Sequence, residues 1–135
     1  MNSYSCPRCR GQQERLGERC VRCGADLAPL ARIVERADAA HDAAVRAARA
    51  GRWAEAGEQA SIALALVPDD VDTIVLLAKI THRQGRRKRS AELWARAGEL
   101  DPGRTDVPIA LAELRKPVVR APARRAKKKR RAGGR

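Results

Sequence analysis

Residues 37–70 read ADAAHDAAVRAARAGRWAEAGEQASIALALVPDD, and residues 71–104 read VDTIVLLAKITHRQGRRKRSAELWARAGELDPGR. When the two segments are aligned at an offset of 34 residues, several positions are identical. Five of the identical pairs are Gly51 and Gly85, Glu58 and Glu92, Ala63 and Ala97, Leu66 and Leu100, and Pro68 and Pro102. Five identities at one offset indicate an internal repeat, and a period of this length is typical of stacked helical units.

The apolar pattern inside each copy predicts two helices joined by a glycine turn. Asp69 and Asp70 are suited to cap the helix that begins near Val71, and Gly85 is suited to end it. The apolar residues of the second copy recur at helical spacing on both sides of that glycine. They are Ile74, Leu77, Ala78 and Ile80 before the turn, and Ala91, Leu93, Trp94 and Ala97 after it.

The segments Gly51–Ala56 and Ala63–Pro68 carry a glycine turn, an early aromatic residue and a closing proline. This pattern resembles the tetratricopeptide repeat, although the first helix holds alanine where larger residues are common. The resemblance implies an interaction scaffold and implies that Trp53 and Trp94 are buried between helices. A generic pair of helical hairpins is the alternative reading.

The same resemblance implies a concave groove for a protein partner, lined by the first helix of each copy. The side chains expected there are Asp38, His41, Val45, Arg49, Asp72, Val75, Lys79, His82 and Arg83. We assign no metal or catalytic chemistry to His41 or His82.

The fold class is predicted to be mainly α, because the chain has no Phe, one Tyr and many small apolar residues. We expect one long helix from about Pro29 to Ala50, with a break near Arg36 as the alternative. A short capping helix is expected over Thr105–Leu114, with Pro108 in its first turn. The predicted domains are a zinc ribbon at 1–28, helical repeats at 29–115 and a disordered basic tail at 116–135.

The four cysteines form two Cys-x-x-Cys pairs separated by ten residues, at Cys6, Cys9, Cys20 and Cys23. Two such pairs facing each other supply the four thiolates of a closed tetrahedral site, and we expect structural zinc there. Two disulfides, a redox Cys-x-x-Cys pair and an iron site are the alternatives. Because this segment has few large apolar residues, we expect it to be disordered without metal.

The second pair continues as Cys20-Val-Arg-Cys-Gly-Ala-Asp-Leu27 and resembles the short bacterial zinc ribbons. Gly24 stands where the backbone often needs a positive φ. In the first pair that place holds Arg10, and we expect some strain there.

The formal net charge of +13 is concentrated at the C-terminal end, where residues 116–135 contain ten bases and no acid. Such an arm binds phosphates through counterion release. The turn at residues 83–89 adds a second basic cluster. The predicted nucleic-acid contacts are Arg86, Arg87, Lys88, Arg89, Lys116, Arg120, Arg124, Arg125, Lys127, Lys128, Lys129, Arg130, Arg131 and Arg135.

These features predict a non-enzymatic adaptor that binds nucleic acid and a protein partner, and DNA and RNA are equally compatible with them. The alternative is a scaffold whose basic segments bind acidic proteins. No phosphate-cradling loop, nucleophile with a base, or open metal site indicates an enzyme or a small-molecule substrate. The apolar runs are shorter than the about 20 residues needed to span a bilayer, and no secretory signal is recognisable, so we expect no membrane association and a cytoplasmic protein.

Overall fold

The computed structural model describes residues 4–119, which form five helices and one small sheet. The elements are β1 Tyr4–Ser5, β2 Gln12–Gln13, α1 Ala28–Arg49, α2 Trp53–Leu66, α3 Val71–Arg83, α4 Arg87–Leu100 and α5 Asp106–Arg115. The mainly helical fold class is confirmed. Residues 120–135, which hold most of the predicted basic tail, lie outside the described residues, and the predicted domain boundaries stay predictions.

Helix α1 is one continuous helix of 22 residues, as expected, and the alternative of a break near Arg36 does not occur. It begins directly after Leu27, which is buried in the ribbon, and Pro29 lies in its first turn. None of residues 28–36 is buried, and the first buried residue of α1 is Ala37. The helix therefore links the ribbon to the hairpins without interruption.

The two sequence copies fold into two hairpins, α1 with α2 and α3 with α4, through turns of the same backbone geometry. Gly51 and Gly85 have φ angles of 74° and 79°, in the left-handed region that glycine adopts without strain. The next residue closes each turn in the same way: Arg52 N–H donates to the Ala47 carbonyl at 2.9 Å, and Arg86 N–H donates to the Thr81 carbonyl at 2.9 Å. These bonds lie 34 residues apart, so the sequence repeat is also a structural repeat.

The core of the first hairpin consists mainly of small side chains, and that of the second hairpin contains large ones. Helices α1 and α2 meet through alanines that are fully buried: Ala44, Ala47, Ala56 and Ala60. Helix α3 supplies the large apolar side chains Ile74, Leu77 and Ile80, which pack with Leu93 and Trp94 of α4. Small side chains allow α1 and α2 to approach closely, while α3 carries most of the apolar volume.

Burial of both tryptophans was expected, and the structure corrects this for one of them. Trp94 is 5% exposed in the core, but Trp53 is only half-buried. Trp53 is the first residue of α2, so its ring lies at the edge of the hairpin, where the Arg83 guanidinium is 5.7 Å from the ring centroid. The carbonyl of Trp53 accepts a hydrogen bond from the Gln84 amide at 2.9 Å.

The capping of α3 also differs in detail from the expectation. Asp70 is the N-cap residue, as predicted, but its carboxylate accepts from the Thr73 hydroxyl and bonds to no backbone N–H of the helix. The Thr73 oxygen is also 2.7 Å from Nδ1 of His41, which ties α3 to α1. Asp69 pairs with Arg96 of α4 instead of capping.

Helix α5 packs against α4 and closes the end of the second hairpin, as the predicted capping helix should. Val107 is buried at 7% exposure, and Pro108 lies in the first turn. Arg104 holds the helix in place, because its guanidinium bonds to Asp106 at 3.0 Å and to Asp72 of α3 at 2.7 Å. Within residues 4–119, no helix is long and apolar enough to cross a bilayer.

Candidate metal centre and basic surface

The two Cys-x-x-Cys pairs fold into knuckles with matching backbones. The N–H of Arg10 donates to the Cys6 carbonyl at 2.8 Å, and the N–H of Gly24 donates to the Cys20 carbonyl at 2.9 Å. Arg10 has a φ of 56° and Gly24 a φ of 69°, so both places require the left-handed conformation. The strain expected at Arg10 agrees with its positive φ, because only glycine takes this conformation without steric cost.

The knuckles bring all four sulfurs together. The Sγ atoms of Cys6 and Cys23 are 3.7 Å apart, those of Cys9 and Cys20 are also 3.7 Å apart, and all four lie within 4.8 Å of one another. Four sulfurs at the corners of a tetrahedron around Zn²⁺ would be about 3.8 Å apart, given a Zn–S distance of about 2.3 Å. Disulfide sulfurs would be about 2.05 Å apart. The four cysteines are therefore free thiols positioned to bind a metal ion.

Backbone N–H groups surround the sulfurs and favour their ionised form. Hydrogen bonds from the backbone, first of all from Cys9, lower the pKa of Cys6, and those from Cys23 and Arg22 lower the pKa of Cys20 to about 6. At Cys23 the Ala25 N–H also lowers the pKa, but burial and the neighbouring thiols outweigh it and raise the value to about 11. A bound cation would offset this crowding of negative charge, because coordinated thiols are deprotonated.

The ribbon has little apolar material besides its cysteines. Cys6, Cys20 and Leu27 form its buried cluster, and Leu16 and Ala25 are only partly buried against it. A segment this small cannot offset its conformational entropy by burial alone. A metal ion bound by the four sulfurs would supply much of the folding free energy.

Gln13, at the end of β2, belongs to the site although sequence reasoning did not select it. Its side chain is 3% exposed, and its Nε2 lies 3.4 Å from Cys20 Sγ. Strand alternation was the available signal, since Gln12 points outward and Gln13 inward. A strand of two residues is too short to show that pattern in a sequence.

The basic turn between α3 and α4 is exposed at three of its four predicted contacts, Arg86, Lys88 and Arg89. Arg89 pairs with Glu92 at 3.3 Å across the surface. Arg87 differs, because it is half-buried and its NH2 group donates to two backbone carbonyls, that of Leu114 at 2.7 Å and that of Lys116 at 2.6 Å. Its guanidinium closes the C-terminal end of α5, so this donor is already engaged by the protein itself.

The hydrogen bond from Arg87 to Lys116 places the start of the arm beside the basic turn. Lys116 is the first residue of the predicted arm, and it lies beside the basic turn although 29 residues separate it from Arg87 in the chain. The remaining predicted contacts lie outside the described residues: Arg120, Arg124, Arg125, Lys127, Lys128, Lys129, Arg130, Arg131 and Arg135.

Three of the residues predicted for the partner groove, Lys79, His82 and Arg83, line a cavity between α3 and α5. This cavity of about 300 Å³ is lined by Lys79, His82, Arg83, Trp94, Ala110, Glu113 and Leu114. Val75 was expected to line the groove but is 4% exposed in the core. Val45 and Arg49 belong to α1 and do not line this cavity, and the prediction omitted the contribution of α5.

Two further residues of the predicted groove are engaged in contacts between elements. Asp72 accepts from Arg104, and His41 is bonded to Thr73. Both contacts hold α3 in place, so these side chains stabilise the stack.

Comparison of the chain with known proteins gives no match to any protein-family model and no significant match among curated proteins.

Proposed function

We propose that this protein is a non-enzymatic, zinc-binding adaptor that associates with nucleic acid through its basic segments and presents its helical hairpins to a protein partner. One observation carries the proposal: the hydrogen bond from Arg87 to the Lys116 carbonyl. It joins two basic segments that are separate in sequence, so one phosphate backbone could contact both. Zinc folds the N-terminal end, and the hairpins hold the basic segments together.

The metal is proposed to be zinc because four thiolates in a closed tetrahedral arrangement are typical of structural zinc sites. Iron is the competing ion for four sulfur ligands, and the short ten-residue spacer favours zinc. With four protein ligands, no coordination position is left for water. The site therefore supports a folding role and offers no chemistry to a substrate.

The electrostatics of the turn favour an anionic partner. The exposed bases Arg86, Lys88 and Arg89 surround the N-terminus of α4, where the helix dipole contributes further positive potential. The first turn of α4 contains no acidic residue, and within residues 4–119 no side chain caps it. The arm that begins beside this turn adds ten bases and no acid of its own, and its first base, Lys116, pairs with Glu113 of α5.

The cavity between α3 and α5 supports the adaptor part of the proposal. Trp94, Ala110 and Leu114 supply apolar surface, while Lys79 and Arg83 supply two positive charges against one negative charge from Glu113. An acidic segment with an apolar side chain would complement both features. The same cavity favours the second candidate function, a scaffold for acidic proteins without a nucleic-acid role.

Salt titrations separate the two candidates. Binding of the full chain to duplex DNA and to structured RNA should weaken with salt, with a log–log slope of about 0.9 per duplex phosphate contacted. Deleting residues 119–135 should flatten the slope most, and the double variant R86Q/K88Q should flatten it further by up to about two phosphate contacts. The matched control is R32Q/R36Q, which removes two exposed charges from α1 and should leave the slope unchanged.

Each outcome has a definite meaning. Tight binding by the deleted protein with an unaltered slope would contradict the nucleic-acid assignment and favour the scaffold. Equal effects of the turn and control variants would show that only net charge matters, and would remove the turn from the interface. Capture of an acidic partner after nuclease treatment, by a full chain that binds neither duplex DNA nor structured RNA, would favour the scaffold reading.

A further inference from the structure

Among the described residues of the ribbon, Gln13 carries the one buried side-chain amide, and its hydrogen bonds reach both knuckles. From β2 its Nε2 group contacts the Gly11 carbonyl at 3.4 Å and the Gln12 carbonyl at 3.3 Å on the first knuckle's side. The same nitrogen is 3.4 Å from Cys20 Sγ of the second knuckle. Its Oε1 atom accepts from the Val21 N–H at 3.3 Å. One side chain therefore spans the gap between the two halves of the site.

These partners fix which end of the amide faces the sulfur. The Val21 N–H can only donate, so the oxygen of the Gln13 amide must face it. The carbonyls of Gly11 and Gln12 can only accept, so the nitrogen must face them. The N–H₂ group is thereby directed at Cys20, which also receives the Arg22 backbone N–H at 3.4 Å.

We propose that Gln13 is a positioning residue of the metal site, whose amide N–H₂ group donates to the Cys20 thiolate and holds the second knuckle in register with the first. Four thiolates around a divalent cation leave a net charge of −2 in a largely buried place. Hydrogen-bond donors next to the sulfurs stabilise that charge and orient the ligand, as other outer-shell partners of metal ligands do. The inference rests on the proposed zinc site.

The first test compares Q13E with Q12E in the full-length chain, using competition with a chromogenic chelator to measure Zn²⁺ affinity. Glu keeps the oxygen that accepts from Val21 but replaces the donor with a second oxygen, which repels the thiolate. We expect Q13E to lose about 10- to 100-fold in affinity, the range typical of outer-shell changes. Gln12 is exposed and its side-chain amide donates to the Ser5 hydroxyl at 3.2 Å, away from the sulfurs, so Q12E adds the same charge one residue away and should change affinity by less than about twofold.

The second test separates hydrogen bonding from packing. Q13M keeps the length of the side chain without a donor, and Co²⁺ in place of Zn²⁺ gives a sulfur-to-metal charge-transfer band that reports on the thiolates. Removing a donor from Cys20 raises the energy of its lone pairs, so the band of Co²⁺-loaded Q13M should move to longer wavelength. The Q12E band should match that of the wild-type protein.

Three results would overturn the inference. They are unchanged affinity in both Gln13 variants, an equal loss in Q12E, or weaker affinity in Q13M with no shift of the charge-transfer band, which would reduce Gln13 to a packing residue. A Q13E chain that binds no metal, while Q12E binds metal normally, would support the inference. In that case the charge-transfer band is measured on Co²⁺-loaded Q13M alone. A wild-type chain that binds neither ion would instead refute the zinc site itself.

Discussion

The two tryptophans have different environments. Trp94 lies in the core between α3, α4 and α5, with the Lys79 ammonium 6.0 Å from its ring centroid. Trp53 lies at the start of α2, is partly buried against the core, and has the Arg83 guanidinium near its ring. The energetic weight of a side chain follows the area it buries, so these two residues should differ in their effect on stability.

We expect Trp94→Ala to destabilise the helical domain by about 3–5 kcal/mol and Trp53→Ala by clearly less. Trp94 leaves a cavity that the surrounding helices cannot fill, whereas the site of Trp53 opens to solvent. Urea unfolding followed by circular dichroism measures both changes. Acrylamide should quench Trp53 more than Trp94 in the native protein, and equal quenching would contradict the assignment.

Individual residues were predicted well where a backbone rule applies and poorly where a distant partner decides. The positive φ at Gly24 and the strain at Arg10 follow from knuckle geometry, which is local. The half-burial of Trp53, the core position of Val75 and the carbonyl contacts of Arg87 depend on how helices far apart in sequence meet. A periodic pattern gives the buried face of a helix, but not the place where a neighbouring helix ends.

Among the elements, the ribbon and the helices are stabilised by different forces. The ribbon depends on four sulfurs and a short hairpin, while the helices bury an apolar core of their own. They meet through α1, whose first nine residues contain no buried side chain. Loss of structure in the ribbon should therefore spread little into the hairpins.

We expect Cys20→Ser to abolish stoichiometric metal binding and unfold the ribbon while the helical circular dichroism signal stays almost unchanged. Acidification should have the same effect on the wild-type chain, because ligation requires thiolates and protons compete for them. Elemental analysis and zinc release measured with a chromogenic chelator follow the metal. Collapse of the helical signal together with metal loss would contradict the independence of the two elements.

The attachment of α5 should depend on pH through Arg104. Hydrogen bonding to Asp106 and Asp72 raises the pKa of Arg104 further above its usual range, and the Arg104 hydrogen bond lowers the pKa of Asp106. The folded-state pKa of Asp106 lies below its unfolded value of about 3.9. The stability that the Arg104–Asp106 pair contributes is therefore fully present at neutral pH, and it is lost as the pH falls through the folded-state pKa. We expect Arg104→Gln to lower the free energy of unfolding at pH 7. Below about pH 4 the free energy of unfolding should fall less steeply with pH in this variant than in the wild-type protein.

Urea unfolding of Arg104→Gln and the wild-type protein at pH 7 and pH 3 measures this difference. Arg96→Gln is a suitable control, because Arg96 pairs with the largely exposed Asp69 and should leave the pH dependence close to that of the wild type. Equal acid sensitivity of Arg104→Gln and the wild type would show that the bridge contributes nothing measurable.

The elements themselves were largely predictable. Two copies of one pattern gave both hairpins and their glycine turns, and α5 begins within one residue of the expected position. The pairing of Arg104 with Asp72 was not predictable, since it joins residues 32 positions apart that carry no shared motif.

In the whole molecule, the basic turn and the start of the arm lie together at the α3–α4 turn. The candidate metal centre precedes the N-terminal end of α1. The sequence identified the metal ligands and both basic segments, but not their adjacency. That adjacency depends on α5 folding back along α4, which brings Lys116 to Arg87. Tertiary packing of this kind has no local signature.

Because α1 is continuous, it fixes the azimuth of the ribbon, that is, the angle about the helix axis at which the ribbon lies relative to the hairpins. From residue 28 to residue 36 the helix rises about 12 Å, and each inserted residue would rotate the ribbon by about 100° relative to the hairpins while moving it about 1.5 Å. If a partner contacts both ends at once, one alanine inserted after Arg36 should weaken its binding more than seven alanines, which restore the azimuth to within about 20°. Metal content and helical signal should be normal in both variants, and weakening that grows only with the added length would indicate that the two ends act separately.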